Sequence, residues 1–224
     1  MKTITCVPAI NRTRFRSHVE DYSAQRCQKD IILLHFPACS SARSLCAPWG
    51  TRRSGLASRT RSPYVLDPSG TIYELHQPEF WARHMGMKSN NPDAVHDRRT
   101  IGIDIINAGP LRLDPVNPHQ LNWWPNRFGA RYCGIEEPEK YVAADSGGYE
   151  YFATFPDAQI AALQFLVERL RKEFKIPAAV PPLEKRLDCD PDYFLGYRGI
   201  ATLQNFRTDH FEVSPLFNWG WLGT

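Results

Sequence analysis

Two polar residues belong to apolar stretches that are expected to form buried strands, one at the end and one in the middle, and both side chains can take part in acid–base or metal chemistry. His35 closes the apolar run 31–34 and is followed by a Pro- and Ser-rich stretch. Four consecutive apolar residues predict a short strand buried on both faces, so His35 is expected on a rigid edge that faces a cleft. A histidine in this place can also be a purely structural cap, and its role therefore depends on its neighbours.

Asp104 is the second candidate. It lies in the middle of the apolar stretch TIGIDIINAG, residues 100–109. A carboxylate inside such a strand is costly unless it faces a cleft or has a partner. Asp104 is thus expected either to face a cleft as a functional residue or to have a structural partner.

The elements that must position these residues follow from periodicity. Residues 64–66 and 71–75 flank a DPSG turn and predict a β-hairpin. The apolar stripe from Ile160 to Phe174 predicts one long helix, with Thr154 and Asp157 as a capping box. YFLGY, residues 193–197, is predicted to be the last strand. The order strand, hairpin, strand, helix, strand indicates an α/β (α+β) fold, one domain with a central mixed sheet flanked by helices.

Two segments lie outside that pattern. Residues 1–27 are expected to form a basic N-terminal extension, and residues 28–224 the domain itself. Within the domain, residues 110–153 are rich in Pro, Asn and aromatic side chains and are expected to be a long surface insertion that covers one side of a groove.

Composition sets further limits. The net charge of +3 over 224 residues gives no reason to expect a nucleic-acid partner. No apolar run is long enough for a membrane span, and the N-terminus lacks the apolar core of a secretory signal, so synthesis in the cytoplasm is expected.

The six cysteines form no CxxC pair. Cys39 and Cys46 are expected to pair only in an oxidising compartment.

Taken in order, six motifs resemble the zinc-dependent N-acetylmuramoyl-L-alanine amidases, the family that also contains the peptidoglycan recognition proteins. The motifs are IILLHFPA, PYVLDPSGTIYEL, WARHMG, TIGIDIIN, FPDAQIAALQFLVERLRKEFKIP and a C-terminal series GYRGI, FRTDHFE and SPLFNW. The resemblance spans roughly residues 28–219 and implies the amidase fold.

The resemblance also implies roles for individual residues. The metal set would be His35, Tyr197 and Asp209, holding Zn2+, with Tyr197 in the place of the family's second histidine. A neutral phenol is a poor zinc ligand, and His210 or Cys39 are alternative ligands. Asp104 would be the catalytic base and Arg207 the group that stabilises the oxyanion. The substrate-binding residues implied are His84, Trp81 and Tyr64.

The implied activity is hydrolysis of the amide between N-acetylmuramic acid and L-alanine of the stem peptide by a zinc-activated water. The alternative is a module that binds peptidoglycan or muropeptides without cleaving them. Aromatic contacts for such binding would come from Trp81, Trp123, Trp124 and Tyr151. The expected place of action is the cell wall or periplasm if the protein is delivered there, or cytoplasmic muropeptides.

Overall fold

The architecture comes from a computed structural model that describes residues 8–51, 61–87, 94–123, 130–146, 148–209, 214 and 217–223. Its strands are β1 (Ile10–Asn11), β2 (Ile31–His35), β3 (Tyr64–Leu66), β4 (Ile72–Glu74), β5 (Thr100–Ile105), β6 (Pro110–Leu113), β7 (Gln120–Trp123), β8 (Arg131–Gly134), β9 (Tyr141–Ser146), β10 (Tyr149–Ala153) and β11 (Gly199–Thr202). Its α-helices are α1 (Ala42–Thr51), α2 (Val95–Arg99) and α3 (Asp157–Phe174).

The central sheet has six strands in the order β1-β4-β3-β5-β2-β11. The hairpin β3–β4 is antiparallel, whereas β3, β5, β2 and β11 run parallel to one another. β2 and β5 lie inside the sheet, and every residue of both strands is buried. This burial explains why they read as nearly continuous apolar runs. The predicted α+β class, with a mixed central sheet and flanking helices, is confirmed.

The two faces of the central sheet bury different groups, because side chains alternate along a strand. One face, with Ile32, Leu34, Ile101 and Ile103, packs against α3. The other face carries Ile31 and Leu33, which belong to an apolar cluster with Met85, Phe194 and Leu203. His35 continues the alternation of Ile31 and Leu33, and Asp104 continues that of Thr100 and Gly102. Both therefore lie on the face opposite α3.

α3 confirms the predicted stripe, since its buried residues include Leu163, Leu166 and Leu170. The predicted capping box is wrong. The residue that precedes the helix is Pro156, without a side-chain cap. The Thr154 hydroxyl donates instead to the Glu139 carbonyl at 2.8 Å. Thr154 thereby fixes the connection from the preceding strand rather than the first turn of the helix.

The predicted insertion at 110–153 has regular structure of its own. Its described residues form a second, antiparallel sheet of five strands in the order β8-β7-β6-β10-β9. A small apolar cluster that includes Leu111, Leu121 and Cys133 stabilises this sheet, and Trp123 also packs against the cluster that contains Cys39 and Cys46. Short strands with frequent turns explain why the sequence pattern showed no sheet here.

The predicted last strand at 193–197 is also wrong. Residues Tyr193–Leu195 form a 3-10 turn with Phe194 fully buried, and the strand begins at Gly199. Gly199 has φ of +147°, and a Cβ there would lie 2.4 Å from the Ala179 carbonyl oxygen. The close approach of these two backbones requires glycine and sets the start of β11.

Residues 8–27 lie along the edge of the central sheet. β1 pairs in parallel with β4, and the Ser17 N–H donates to the Leu75 carbonyl at 2.9 Å. Farther along, Asp21 forms an ion pair with the buried Arg61. This part of the N-terminal segment thus packs on the domain. In the described ranges, no helix combines the length and the apolarity that a bilayer span needs.

This edge packing produces a pH-dependent contribution to stability at His76. His76 is 1% exposed, and its ring stacks on that of Tyr22 with the two ring centroids 4.9 Å apart. Burial, and then the charges of Lys29, Arg16 and Arg61, lower the pKa of His76 to about 3. Below about pH 6.5 the unfolded chain therefore binds a proton that the folded chain does not, and acidification favours unfolding.

We expect His76→Phe, which keeps an aromatic ring against Tyr22, to reduce the loss of stability on acidification. Between pH 6.5 and 5.5 the free energy of unfolding of the variant should fall by about 1 kcal/mol less than that of the wild type, the contribution of one histidine. Urea titrations at both pH values measure this difference. His119→Phe, at an exposed site, is the matched control. An unchanged pH dependence in His76→Phe would contradict the assignment.

Candidate functional site

His35 and Asp104 meet at the carboxyl ends of β2 and β5. The parallel register pairs them directly, and His35 Nδ1 lies 3.7 Å from Asp104 Oδ1. Their exposed fractions are only 7% and 6%. The structure therefore brings these two residues together, on the face opposite α3.

Ser62 holds the Asp104 carboxylate. Its hydroxyl donates to Asp104 Oδ1 at 2.9 Å, and Ser62 itself is 2% exposed. Ser62 precedes β3, whose Val65 pairs with Asp104 across the parallel strands. The hydrogen bond fixes the orientation of the carboxylate.

His84 lies behind His35, in the loop that follows Trp81. Its Nδ1 is 3.3 Å from His35 Nε2, and its Nε2 is 2.8 Å from the Thr100 hydroxyl. Burial, and then the neighbouring His35, hold the pKa of His84 well below its usual value. The resemblance implied that His84 binds substrate. The structure makes it a buried partner of His35 instead.

Gly102 makes room for both supporting side chains. A Cβ at this position of β5 would lie 2.6 Å from Ser62 Oγ and 2.7 Å from His84 Nδ1. Real Cβ contacts are not this short, so any larger residue would displace the serine, the histidine or the strand itself. Only glycine at 102 permits both supports at these positions.

The structure does not bring Tyr197 to His35. Tyr197 precedes β11, and Gly199 at the start of β11 pairs with Ile31 at the start of β2. His35 is at the opposite end of β2. The Tyr197 hydroxyl donates to the Ala179 carbonyl at 2.9 Å, with the Ile200 carbonyl 3.1 Å away. Burial also raises the pKa of Tyr197, which disfavours the phenolate that a metal would require.

An apolar residue follows the end of β11. Thr202, the last residue of β11, pairs with Leu34, the residue before His35. Leu203 begins the 3-10 turn Leu203–Asn205, is 3% exposed and belongs to the cluster of Leu33 and Met85. The first residue beyond this end of β11 therefore has a buried hydrocarbon side chain rather than one that could bind a metal.

Arg207 and Asp209 form a bidentate ion pair with each other. Arg207 Nε is 2.8 Å from Asp209 Oδ1, and Nη2 is 2.6 Å from Oδ2. Arg207 Nη1 also donates to the Met85 carbonyl at 3.0 Å, one residue beyond His84. Arg207 is therefore tied to the loop that carries His84. The Asp209 side chain is 65% exposed.

The other two implied substrate contacts, Tyr64 and Trp81, have different partners in the structure. Tyr64 is fully buried on the α3 face, with its hydroxyl 3.3 Å from Glu74 Oε2. Trp81 forms an isolated β-bridge with Ser23, and the Arg98 guanidinium lies 4.9 Å from the centroid of its ring. Both positions are explained by packing.

The described residues contain no group of three His, Cys, Asp or Glu side chains placed to hold a metal ion. Cys39, an alternative ligand, is a buried free thiol whose pKa is raised to about 12, first by burial and then by the Asp104 charge. Cys46 is likewise a free thiol. His210 and Trp124 lie outside the described residues.

Sequence analysis missed Ser62, Thr100 and Gly102. Each is small and common, and none belongs to a motif with a chemical signature. Gly102 interrupts a run of the β-branched residues Thr100, Ile101 and Ile103, which is the pattern of a close approach by another group. This glycine was the one feature of the sequence that indicated supporting side chains close to β5.

No protein-family model and no curated protein matches this sequence. Among solved structures, the chain is similar to a selenomethionine AmpD derivative, with 12% identity, a TM-score of 0.50, and coverage of 95% of this chain and 92% of that one. It is also similar to the N-acetylmuramoyl-L-alanine amidase LysC from Clostridium intestinale URNW, with 10% identity, a TM-score of 0.46 and coverage of 96% and 95%. At 12% identity, the likeness to the AmpD derivative shows the fold alone.

We expect Gly102→Ala to lower the free energy of unfolding by about 1–3 kcal/mol, the usual cost of overpacking a filled interior. Gly196→Ala is the matched control, because a Cβ at Gly196 meets nothing within 4 Å and φ there is −92°. Urea unfolding of the three proteins measures the difference. Equal stability of Gly102→Ala and Gly196→Ala would show that Ser62 and His84 are not confined as described.

Proposed function

We propose that this protein is a peptidoglycan amidase-like hydrolase that accepts muropeptides at the carboxyl ends of β2 and β5. The bond cleaved is the amide between N-acetylmuramic acid and L-alanine of the stem peptide. The observation that carries this proposal is the His35–Asp104 pair, 3.7 Å apart and held at one edge of an amidase-type sheet.

Asp104 is the proposed base. Hydrolysis of an amide requires a group that takes a proton from the attacking water and returns it to the leaving amine. The hydrogen bond from Ser62 keeps the Asp104 carboxylate oriented. The water oxygen then bonds to the amide carbon, the carbon–nitrogen bond breaks, and the proton held by Asp104 passes to the nitrogen of L-alanine.

Arg207 is proposed to offset the negative charge that develops on the amide oxygen. Its guanidinium contacts the carbonyl of Met85, the residue next to His84. Asp209 holds the guanidinium plane through two hydrogen bonds. In this proposal Asp209 orients Arg207.

The ligand set implied by the resemblance does not fit a zinc ion. Tyr197 lies at the other end of the parallel strands, and the residue that follows β11 is the buried, apolar Leu203. Asp209 is in a bidentate pair with Arg207. We therefore assign no step of the reaction to a metal ion.

A second candidate function is muropeptide binding without cleavage. The position of Tyr197 at the far end of the strands and the apolar Leu203 after β11 favour it, because loss of a metal ligand commonly abolishes this kind of hydrolysis while a binding groove persists. The two functions make different predictions for one experiment.

We expect the wild-type protein to release the L-Ala-D-isoglutamine dipeptide from N-acetylmuramyl-L-Ala-D-isoglutamine, as detected by mass spectrometry. Asp104→Asn should slow release by about 100-fold or more, the usual contribution of a positioned base. Tyr197→Phe is the matched control and should keep the wild-type rate. Parallel samples with and without added zinc measure any metal requirement directly.

Calorimetric titration of the same muropeptide separates the alternatives. Binding without product would support the second candidate and contradict hydrolysis. Neither binding nor product would overturn both. Full activity in Asp104→Asn would remove Asp104 from the reaction.

A further inference from the structure

We propose that a groove on the α3 side of the molecule binds a small aromatic carboxylate, with the carboxylate paired to the Arg171 guanidinium. The groove lies between the second half of α3 and the 3-10 turn Trp219–Leu222, and its volume is about 610 Å³. It is separate from the His35–Asp104 pair, because α3 packs against the opposite face of the central sheet. The proposal therefore goes beyond the proposed hydrolysis and does not depend on it.

One wall of the groove is the 3-10 turn, which Asn218 caps. The Asn218 side chain accepts a hydrogen bond from the Gly220 N–H at 2.9 Å. Within the turn, the Trp221 ring meets Phe155 and Phe217 edge to face, with ring centroids 5.9 and 5.4 Å apart. Trp221 is partly exposed and lines the groove. Its contacts therefore hold it in place as an aromatic wall that a flat apolar group can pack against.

The floor of the groove is apolar. Ile176 and Leu222 line it, and both belong to the core cluster under α3. The volume of the groove falls within the range of about 300–1,000 Å³ that is usual for small-molecule sites. A ligand of this size that covers the floor and contacts Trp221 must carry an apolar group, and an aromatic ring system meets both requirements.

The opposite wall is a charged strip on α3. Glu168 and Lys172 lie four residues apart in this strip and form an ion pair with each other, so their two charges are matched. Arg171 also lines the groove. Among the described residues it has no ion-pair partner, and its buried Nε has no hydrogen-bond acceptor. The strip thus has one positive charge in excess, carried by a guanidinium.

This guanidinium determines the charged group of the ligand. A buried N–H without an acceptor is costly, and the planar guanidinium can donate two parallel hydrogen bonds to a carboxylate. Glu168 is three residues before Arg171 on the same helix and would repel a second negative charge. A singly charged carboxylate therefore fits the groove better than a doubly charged phosphate.

Calorimetric titration of the whole chain with naphthalene-1-carboxylate tests the proposal. Naphthalene-1-methanol, which has the same rings and no charge, is the matched ligand control. We expect the dissociation constant of the carboxylate to be lower than that of the alcohol by about tenfold or more, the usual contribution of a hydrogen bond to a charged group. Equal affinities would overturn the pairing with Arg171. Absence of carboxylate binding at millimolar concentration would overturn the site itself.

Arg171→Met keeps much of the aliphatic part of the side chain and removes the charge. It should raise the dissociation constant of naphthalene-1-carboxylate by about tenfold or more and leave that of the alcohol unchanged. Arg169→Met is the matched protein control, because Arg169 lies on the same helix and pairs with Glu173 at 3.6 Å. This control should keep the wild-type affinity. No loss in Arg171→Met, or an equal loss in both variants, would contradict the role of Arg171.

NMR of the wild type locates the bound carboxylate. The indole N–H signal of Trp221, identified as the one that is absent from Trp221→Phe, should shift when naphthalene-1-carboxylate is added. Shifts confined to other indole signals would place the ligand elsewhere and overturn the proposal. None of these measurements uses a muropeptide, so failure of the groove to bind and failure of the proposed hydrolysis are observed separately.

Discussion

The parallel pairing of β2 with β5 is the constraint on which the rest of the site depends. Its register sets His35 opposite Asp104, and the two-residue alternation of a strand puts both on the face opposite α3. A shift of one residue in either strand would turn that side chain into the α3 core. Because the flanking isoleucines and leucines are fully buried, such a shift would bury polar groups without partners, and the register is strongly fixed.

Burial of this pair creates a second requirement, namely hydrogen-bond partners for polar groups that lie away from water. Ser62 supplies one for Asp104, and His84 supplies one for His35. Both supports approach β5 at Gly102, where no side chain competes for the space. The polar site is therefore built from two layers, a pair on adjacent strands and a supporting layer that depends on one glycine.

The sequence predicted the parts of this arrangement that depend on local pattern. Periodicity located β2, the hairpin, β5 and α3, and the position of His35 and Asp104 within apolar runs indicated that they face a cleft. It did not locate β11, because YFLGY has strand-like composition but forms a 3-10 turn around the buried Phe194. The start of β11 is set instead by the contact of Gly199 with the Ala179 backbone, a long-range constraint that no local pattern contains.

The difference between local patterns and long-range constraints also explains why His35 lies beside Asp104 in the structure and Tyr197 does not. His35 and Asp104 lie inside strands, so a motif match determines both their position along the strand and the face of the sheet on which they lie. Tyr197 lies in the connection before a strand, where a match in residue type determines neither the position nor the face. Along a strand each residue of misalignment moves a side chain by about 3.3 Å and turns it to the other face. In the structure the Tyr197 hydroxyl contacts the carbonyl of Ile200, which pairs with Ile32, three residues or roughly 10 Å along β2 from His35. Tyr197 therefore lies too far away to act together with the His35–Asp104 pair.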